Sequence, residues 1–376
     1  MGVIVHNVHI QYADACPNVS SRAFFYGMRA FRIALFCMVL FSAFTLKAQV
    51  AGLTSYAVLD IPRSPRSASL GMDFLALPTA SLDATLDNPS LIDSSHSGYA
   101  SIGFMGLSRG TNFGHLAYGR RLGNVGNFVF GLSFCSFGSF DGYDEEEVSL
   151  GKFYASDYIF SIGWGRAIDS NFSIGASFKP IYSHYESYSA FAISFDVAVR
   201  YVSTSRLFAA TLIGRSIGAQ IVTFDNKVER MPFELAAGLS YKLKNAPFRF
   251  FFNAAELQRW DLRYNDALNP TEETDPFTGE ITRQSDFAAF ADKIGRHIQV
   301  GVELNIGSSF FARVGYNYRK AVEMKAADVL NVSGFSFGIG FTFKGFEFAY
   351  AHNNYHLWQA PNYISITTDL NRFFGK

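Results

Sequence analysis

The pattern of connections limits this chain more than any single motif. Between Gly98 and Leu370, about fourteen segments alternate in polarity from residue to residue, joined in turn by tight links and by longer, often acidic loops. Short turns at one end and long loops at the other are how an outer-membrane β-barrel reads in sequence. The clearest segment is Ala190 to Tyr201. There Phe191, Ile193, Phe195, Val197, Val199 and Tyr201 alternate with Ala192, Ser194, Asp196, Ala198 and Arg200. One such strand fits a soluble sandwich as well as a membrane wall, because either gives the apolar face a neighbour. Repetition around a closed sheet separates the two, and the pattern does repeat. Gln299, Gly301, Glu303 and Asn305 alternate with Ile298, Val300, Val302 and Leu304, and Phe335, Phe337, Ile339 and Phe341 with Ser336, Gly338 and Gly340.

The alternation places strands at 98–107, 111–121, 125–137, 152–166, 171–182, 189–202, 206–216, 233–242, 246–256, 296–306, 309–319, 333–342, 345–354 and 362–370. Most approach the roughly 9–11 residues that a tilted strand needs to cross hydrocarbon. The expected fold is all-β, an antiparallel transmembrane barrel of about fourteen strands with an N-terminal luminal or periplasmic segment. Composition agrees: 40 Phe, 19 Tyr and 32 Gly suit strands, membrane interfaces and crowded walls. A mean hydropathy of +0.09 leaves little for helical spans, and a formal charge of zero gives no basic field for nucleic acid.

The N-terminus reads as a targeting segment. Arg29 and Arg32 precede an apolar run from Ile33 to Leu46, too short for a membrane span, and Leu46-Lys47-Ala48 offers a cleavage site that would release Gln49. Met28 reads as the start, with residues 1–27 as an extension. The expected organisation is therefore 1–48 extension and signal peptide, 49–97 plug-like segment and 98–376 barrel. Removal of Cys16 and Cys37 would leave Cys135 alone, without an intramolecular disulfide. In 49–97, Pro62, Pro65, Pro78 and Pro89 with Arg63 and Arg66 break any strand, which fits a segment folded into the lumen or, alternatively, a free periplasmic arm.

With both barrel ends in the periplasm, the long connections 138–151, 183–188, 217–232, 257–295, 320–332 and 355–361 face outward. The first carries Asp141, Asp144, Glu145, Glu146 and Glu147. In 257–295, Phe287, Phe290, Ala291 and Ile294 fall at helical spacing, and Ser285 or Asp286 can cap that helix. Phe224, Trp260 and Trp358 are the candidate partner contacts, although an interfacial aromatic girdle accounts for them equally. No catalytic residue, cofactor site or metal site is expected: His352 and His356, four apart on a strand, would stand more than about 10 Å apart at ~3.3 Å per residue. No nucleophile elbow, phosphate loop or paired-Cys site is present.

The stretch SYAVLDIPRSPRSASLGMDFLALPTASLDATLDNPSLI at Ser55 to Ile92 resembles the start of the mature PorQ family. So do MPFELAAGLSYKLKNAPFRFFFNAAELQRWDLRYND, GRHIQVGVELNI, FFARVGYNYRK, SGFSFGIGF and YHLWQAPNYISI. The resemblance spans nearly all of the mature chain, through strand and turn patterns rather than a catalytic signature. It departs where Met72 follows Leu70-Gly71 and where Asn371 to Lys376 extend past the last strand. It implies a FadL-type barrel in the outer membrane of Bacteroidota. Its implied role is to anchor the attachment complex of the type IX secretion system, holding a PorZ-like surface protein beside PorU- and PorV-like subunits, with lipid and lipopolysaccharide around it. The alternative is a FadL-like channel or transporter for hydrophobic small molecules. Arg200, Glu303, Arg313 and Arg319, assigned to inward faces, weigh against that alternative.

Overall fold

The computed structural model describes residues 55–107, 110–225, 227–263, 272–274, 281–283, 285–307, 309–324, 332–354 and 360–374. The leader, its cleavage site and Met28 lie outside them. Among the described residues sixteen strands form: β1 (Tyr99–Gly106), β2 (Asn112–Leu122), β3 (Gly126–Tyr143), β4 (Ser149–Ala167), β5 (Phe172–Tyr185), β6 (Tyr188–Val202), β7 (Phe208–Val222), β8 (Glu234–Lys242), β9 (Phe248–Ala254), β10 (Glu272–Thr274), β11 (Ile281–Arg283), β12 (Ile298–Ile306), β13 (Phe310–Asn317), β14 (Phe335–Phe343), β15 (Phe346–Asn353) and β16 (Asn362–Asp369).

Fourteen of these close into an antiparallel barrel in chain order, with β16 returning to β1 in the register Tyr99↔Asp369 to Gly106↔Asn362. β10 and β11 pair separately as a small ribbon. Every strand expected from the alternation has its counterpart in the wall.

Burial along each strand is inverted relative to a soluble sheet. On β6, Phe195, Val197 and Val199 are exposed while Ser194, Asp196 and Arg200 are buried. Apolar side chains out and polar ones in are favourable when the outside is lipid, and closure leaves no strand edge in hydrocarbon. This inversion excludes the soluble sandwich.

The wall is uneven in height. β3 and β4 have 18 and 19 residues, whereas β9 has 7 and β13, β15 and β16 have 8 each. The tall strands absorb residues that alternation had assigned to loops. Of 138–151 only residues 144–148 connect the strands, β5 and β6 leave only 186–187 of 183–188, and β7 runs on to Val222. Bulges between Ser136 and Ser139 and again at Gly142 twist the β3–β4 extension, which masks its period. Two expected strands, β9 and β13, end two residues early. β13 stops at Asn317, whose side-chain oxygen accepts the Lys320 N–H at 3.1 Å and starts a helical turn, Tyr318–Glu323.

Residues 55–97 lie inside the barrel and form no strand. Pro65 opens the helix Pro65–Ser69, which Ser64 caps, and Pro89 opens a 3-10 turn capped by Asn88. The segment runs the height of the lumen. At the long-loop end, Ser55 donates through N–H and Oγ to the Glu229 carboxylate at 2.6 and 2.8 Å. At the short-turn end, Gly98 N–H donates to the Gly119 carbonyl.

Candidate functional site: the lumen and its long-loop mouth

The lumen wall divides into two arcs. On β9, β12 and β13, Glu303 stands directly opposite Arg249 on one side and Arg313 on the other. Its carboxylate accepts from Arg313 Nε at 2.7 Å and, across the lumen, from Arg66 Nε and Nη2 at 2.8 and 2.6 Å. Toward the long-loop end of the same arc, Arg215 on β7 pairs with the opposed Glu234 on β8 at 2.9 Å and donates to the Leu59 carbonyl at 3.2 Å. Lys179 on β5 bonds Asp196 on β6. The buried ions are arranged as pairs and a triad, the condition under which charge can stay away from water.

The opposite arc carries no such ion pair near the long-loop end among the described residues, its one buried carboxylate there being Asp157. Ala351, Tyr363, Met105, Phe113 and Cys135 are directly opposed, one to the next, across β15, β16, β1, β2 and β3. Ile159, Ile181 and Ala192 extend the row over β4, β5 and β6. Tyr56, Val58 and Leu59 of the luminal segment pack on this surface, all of them fully buried. Its outer edge is polar: Tyr185 OH donates to the buried Asp157 carboxylate at 2.9 Å.

Below these contacts the segment sits tightly on the wall. A β-carbon at Gly315 would lie 2.0 Å from the Leu70 carbonyl carbon, and one at Gly175 would lie 2.2 Å from the Pro89 carbonyl group. Irregular backbone in a dry lumen must find partners off the segment. Inward amides and guanidinium groups supply them: Asn253 donates to Phe74 O at 2.9 Å, Asn317 to Gly71 O at 3.1 Å and Arg200 to Leu77 O at 3.1 Å. Sequence reasoning expected a luminal segment to meet charged inward side chains, but it gave the amides no role and read Arg63 and Arg66 only as strand breakers. The signal lay in Asn253, Gln299 and Asn317, amides that recur at inward positions of neighbouring strands.

At the mouth, the three candidate contact residues do not form one site. Phe224 stacks on Tyr185 at 5.0 Å, turned toward the lumen edge on the β5 side. Trp260 is 61% exposed on the β9 side, beside Phe290 and stacked over His297. Trp358 lies outside the described residues, as does His356. His352 is held by Asn362 and Asn354. Arg319 was expected on an inward strand face; it sits in the helical turn after β13, where it pairs with Glu256 at 2.9 Å. The amphipathic helix forms at Asp286–His297, and Ser285 caps it. Next to it, burial raises the Asp261 carboxyl, but bonds from Lys293 and Arg263 outweigh that and hold it at about 2. Among the described residues, no three His, Cys, Asp or Glu side chains gather as metal ligands.

No protein-family model matches the chain, and no curated protein does. Solved structures do. The chain is similar to the Pseudomonas putida toluene transporter TodX, with 11% identity and a TM-score of 0.50 over 82% of this chain and 97% of that one. It also matches the Ralstonia pickettii toluene transporter TbuX, at 11% identity and a TM-score of 0.47 over 83% and 99% of the two chains. A Pseudomonas aeruginosa FadL homologue matches at 10% identity and 0.46, over 83% and 99%. What the likeness to TodX shows is the fold, a closed antiparallel barrel.

Proposed function

We propose that this protein is an outer-membrane barrel of the FadL-like kind that admits hydrophobic small molecules, acting without catalysis. The observation that carries the reading is the apolar row from Ala351 round to Ala192 near the long-loop end, covered from the luminal segment by Tyr56, Val58, Leu59 and Ala68, with Ile61 and Met231 packed against it. A lumen meant solely to be closed has no need of that surface. A compound with the apolar character of toluene would replace Val58, Leu59 and the ring of Tyr56 at little solvation cost, with the Tyr56 hydroxyl, bonded to Gln220, returned to water. The tether to displace is short: two hydrogen bonds from Ser55 to Glu229, one from Tyr185 OH to the Ser55 carbonyl, one between Tyr56 and Gln220, and one from Arg215 to the Leu59 carbonyl. Cells producing the barrel should accumulate labelled toluene faster than cells lacking it, and Glu229→Gln, which weakens the tether, should raise the rate. Equal accumulation with and without the barrel rejects the reading.

A second reading rests on the tall strands. β3 and β4 carry Phe140, Tyr143, Leu150 and Tyr154 out with an acidic tip at Asp144–Glu147. Between this extension and the β5–β6 turn, a hollow of about 690 Å³ is lined by Asp141, Tyr143, Leu150, Lys152, Tyr154 and His184. This geometry supports the PorQ-like role of an anchor for a PorZ-like surface protein beside PorU- and PorV-like subunits. The filled inner lumen supports it too. Crosslinking on intact cells through Tyr154→Cys should capture a surface protein under this reading. Capture that persists after residues 144–147 and Tyr143 are replaced by serine removes the β3–β4 extension as the docking face.

A further inference from the structure

The wall is lowest where the helix Asp286–His297 stands. At about 3.3 Å per residue and roughly 40° of tilt, the seven residues of β9 rise only about 18 Å, short of the ~25 Å apolar band of an outer-membrane barrel. The nine residues of its neighbour β12 rise about 23 Å by the same measure. Past β9 the Ala255 N–H still bonds the His297 carbonyl and the Leu257 N–H the Leu235 carbonyl, but the chain then leaves the wall, and backbone against acyl chains is unfavourable.

Chain geometry supplies an apolar extension at that place. The helix runs directly into β12, so Ile294 lies one turn before Ile298, the first of the outward row Ile298, Val300, Val302, Leu304 and Ile306. Phe287, Phe290, Ala291 and Ile294 share one helical face. Phe287 is 81% exposed and Phe290 52%, with Trp260 alongside at 6.5 Å. The other side of the helix is occupied by the protein. Asp292 accepts from Tyr318 OH at 3.0 Å and pairs with Arg296 at 2.9 Å, while Lys293 pairs with Asp261 at 2.7 Å. The polar side is thus fixed to the rim, and the aromatic stripe points away from it, in line with the lipid-facing strand row.

We infer that Phe287, Phe290, Ala291, Ile294 and Trp260 are embedded in the outer leaflet, and that this helix completes the hydrophobic belt at β9, where the wall is lowest. The occupant of the stripe is lipid acyl chain, chosen by its continuity with the lipid-facing wall and by the height deficit. Twelve residues at 1.5 Å each give about 18 Å of helix, more than the missing height. The indole of Trp260 suits the boundary, with its ring in the apolar layer and its N–H toward the headgroups.

The test uses the full-length barrel in phosphatidylcholine vesicles, with Trp164→Phe and Trp358→Phe leaving Trp260 as the sole indole. Lipids brominated at shallow acyl positions should quench Trp260 strongly, those brominated near the chain end less, and acrylamide in the water only weakly. Phe287→Asp with Phe290→Asp should shift the emission to the red and raise acrylamide quenching, while heat-modifiable gel mobility checks that the barrel remains folded. Emission untouched by every brominated lipid, with acrylamide quenching as strong as for free indole, overturns the assignment. So does quenching by bromine at the chain end alone, which would place the helix at the wrong depth.

Discussion

Near the long-loop end, and above the Lys179–Asp196 pair, the lumen wall from β15 round to β6 meets Tyr56, Val58 and Leu59 mainly with hydrocarbon, whereas from β7 round to β13 it holds the luminal segment through ions and amides. The difference lies in how each contact can fail. Apolar contacts lose stability in proportion to the surface removed, so the first arc can open by degrees and accept another apolar occupant. The Arg66–Glu303–Arg313 triad loses it all at once, because removing one member leaves buried charge without a partner. One arc resembles a binding surface and the other a clamp. The tight seat of Leu70 on Gly315 belongs to the clamp.

The largest effect should come from closing that seat. Gly315→Val places a β-carbon where the Leu70 carbonyl carbon already is, at 2.0 Å, and the obstruction is backbone. Overpacking of this kind costs upward of about 3 kcal/mol when neighbours cannot move. The segment should leave its seat and become open to protease, with Arg66 cut rapidly in barrels that otherwise keep their strands. Protection equal to the parent would show that the clamp is looser than its geometry. Next comes Glu303→Ala, which strands two buried guanidinium groups and should cost about 3–5 kcal/mol in urea unfolding of the lipid-embedded barrel. Replacing Arg66, Glu303 and Arg313 together by methionine should cost distinctly less, because no lone charge remains. If the triple variant is the weaker protein, the triad is a source of net stability and the contrast between arcs narrows.

How much of this was legible depends on which physics wrote it. The barrel was, because lipid outside and polar groups inside force a period of two on every strand. Val197 and Asp196 announce their faces whatever their neighbours are. Strand ends were less so. β3 and β4 continue past the membrane as a bulged extension, where exposed Tyr143 and Asp141 obey no fixed alternation, and a loop reading is natural. Asn317 ends β13 by capping a helical turn, a local hydrogen bond that competes with the period carried by Tyr316 and Arg319. The lumen contacts were hardest. Arg66 and Glu303 are 237 residues apart, and nothing local ties one to the other. The inward sets of the two arcs differ in polarity, yet only the register Met105↔Phe113 and Phe113↔Cys135 shows that the apolar ones form one surface.

The apolar arc should respond by increments. Ile181→Val removes one methylene from a fully buried side chain and should cost about 0.5–1.5 kcal/mol, read as a lower urea midpoint with an unchanged slope. Ile159→Val beside it should add a similar amount, or somewhat less if the two share a relaxing cavity. A loss as large as that of Glu303→Ala would mean that the two arcs fail alike.

The smallest effect lies outside both arcs, at the rim pair that holds the helix Asp286–His297. Asp261 titrates near 2 in the folded protein, below the ordinary carboxylate range near 4. A depressed folded value means that the interaction contributes fully above the unfolded value and fades as pH falls from about 4 through about 2. Lys293→Ala should therefore lower the unfolding midpoint slightly at pH 7, by less than about 1 kcal/mol because the pair is partly exposed, and by nothing measurable below pH ~2. Parent and variant midpoints should thus converge on acidification. A gap that stays constant between pH 7 and pH 2 would assign the loss to packing of the lysine stem, and the contrast between arcs would then extend to a rim that is apolar in its energetics as well as in its exposed stripe.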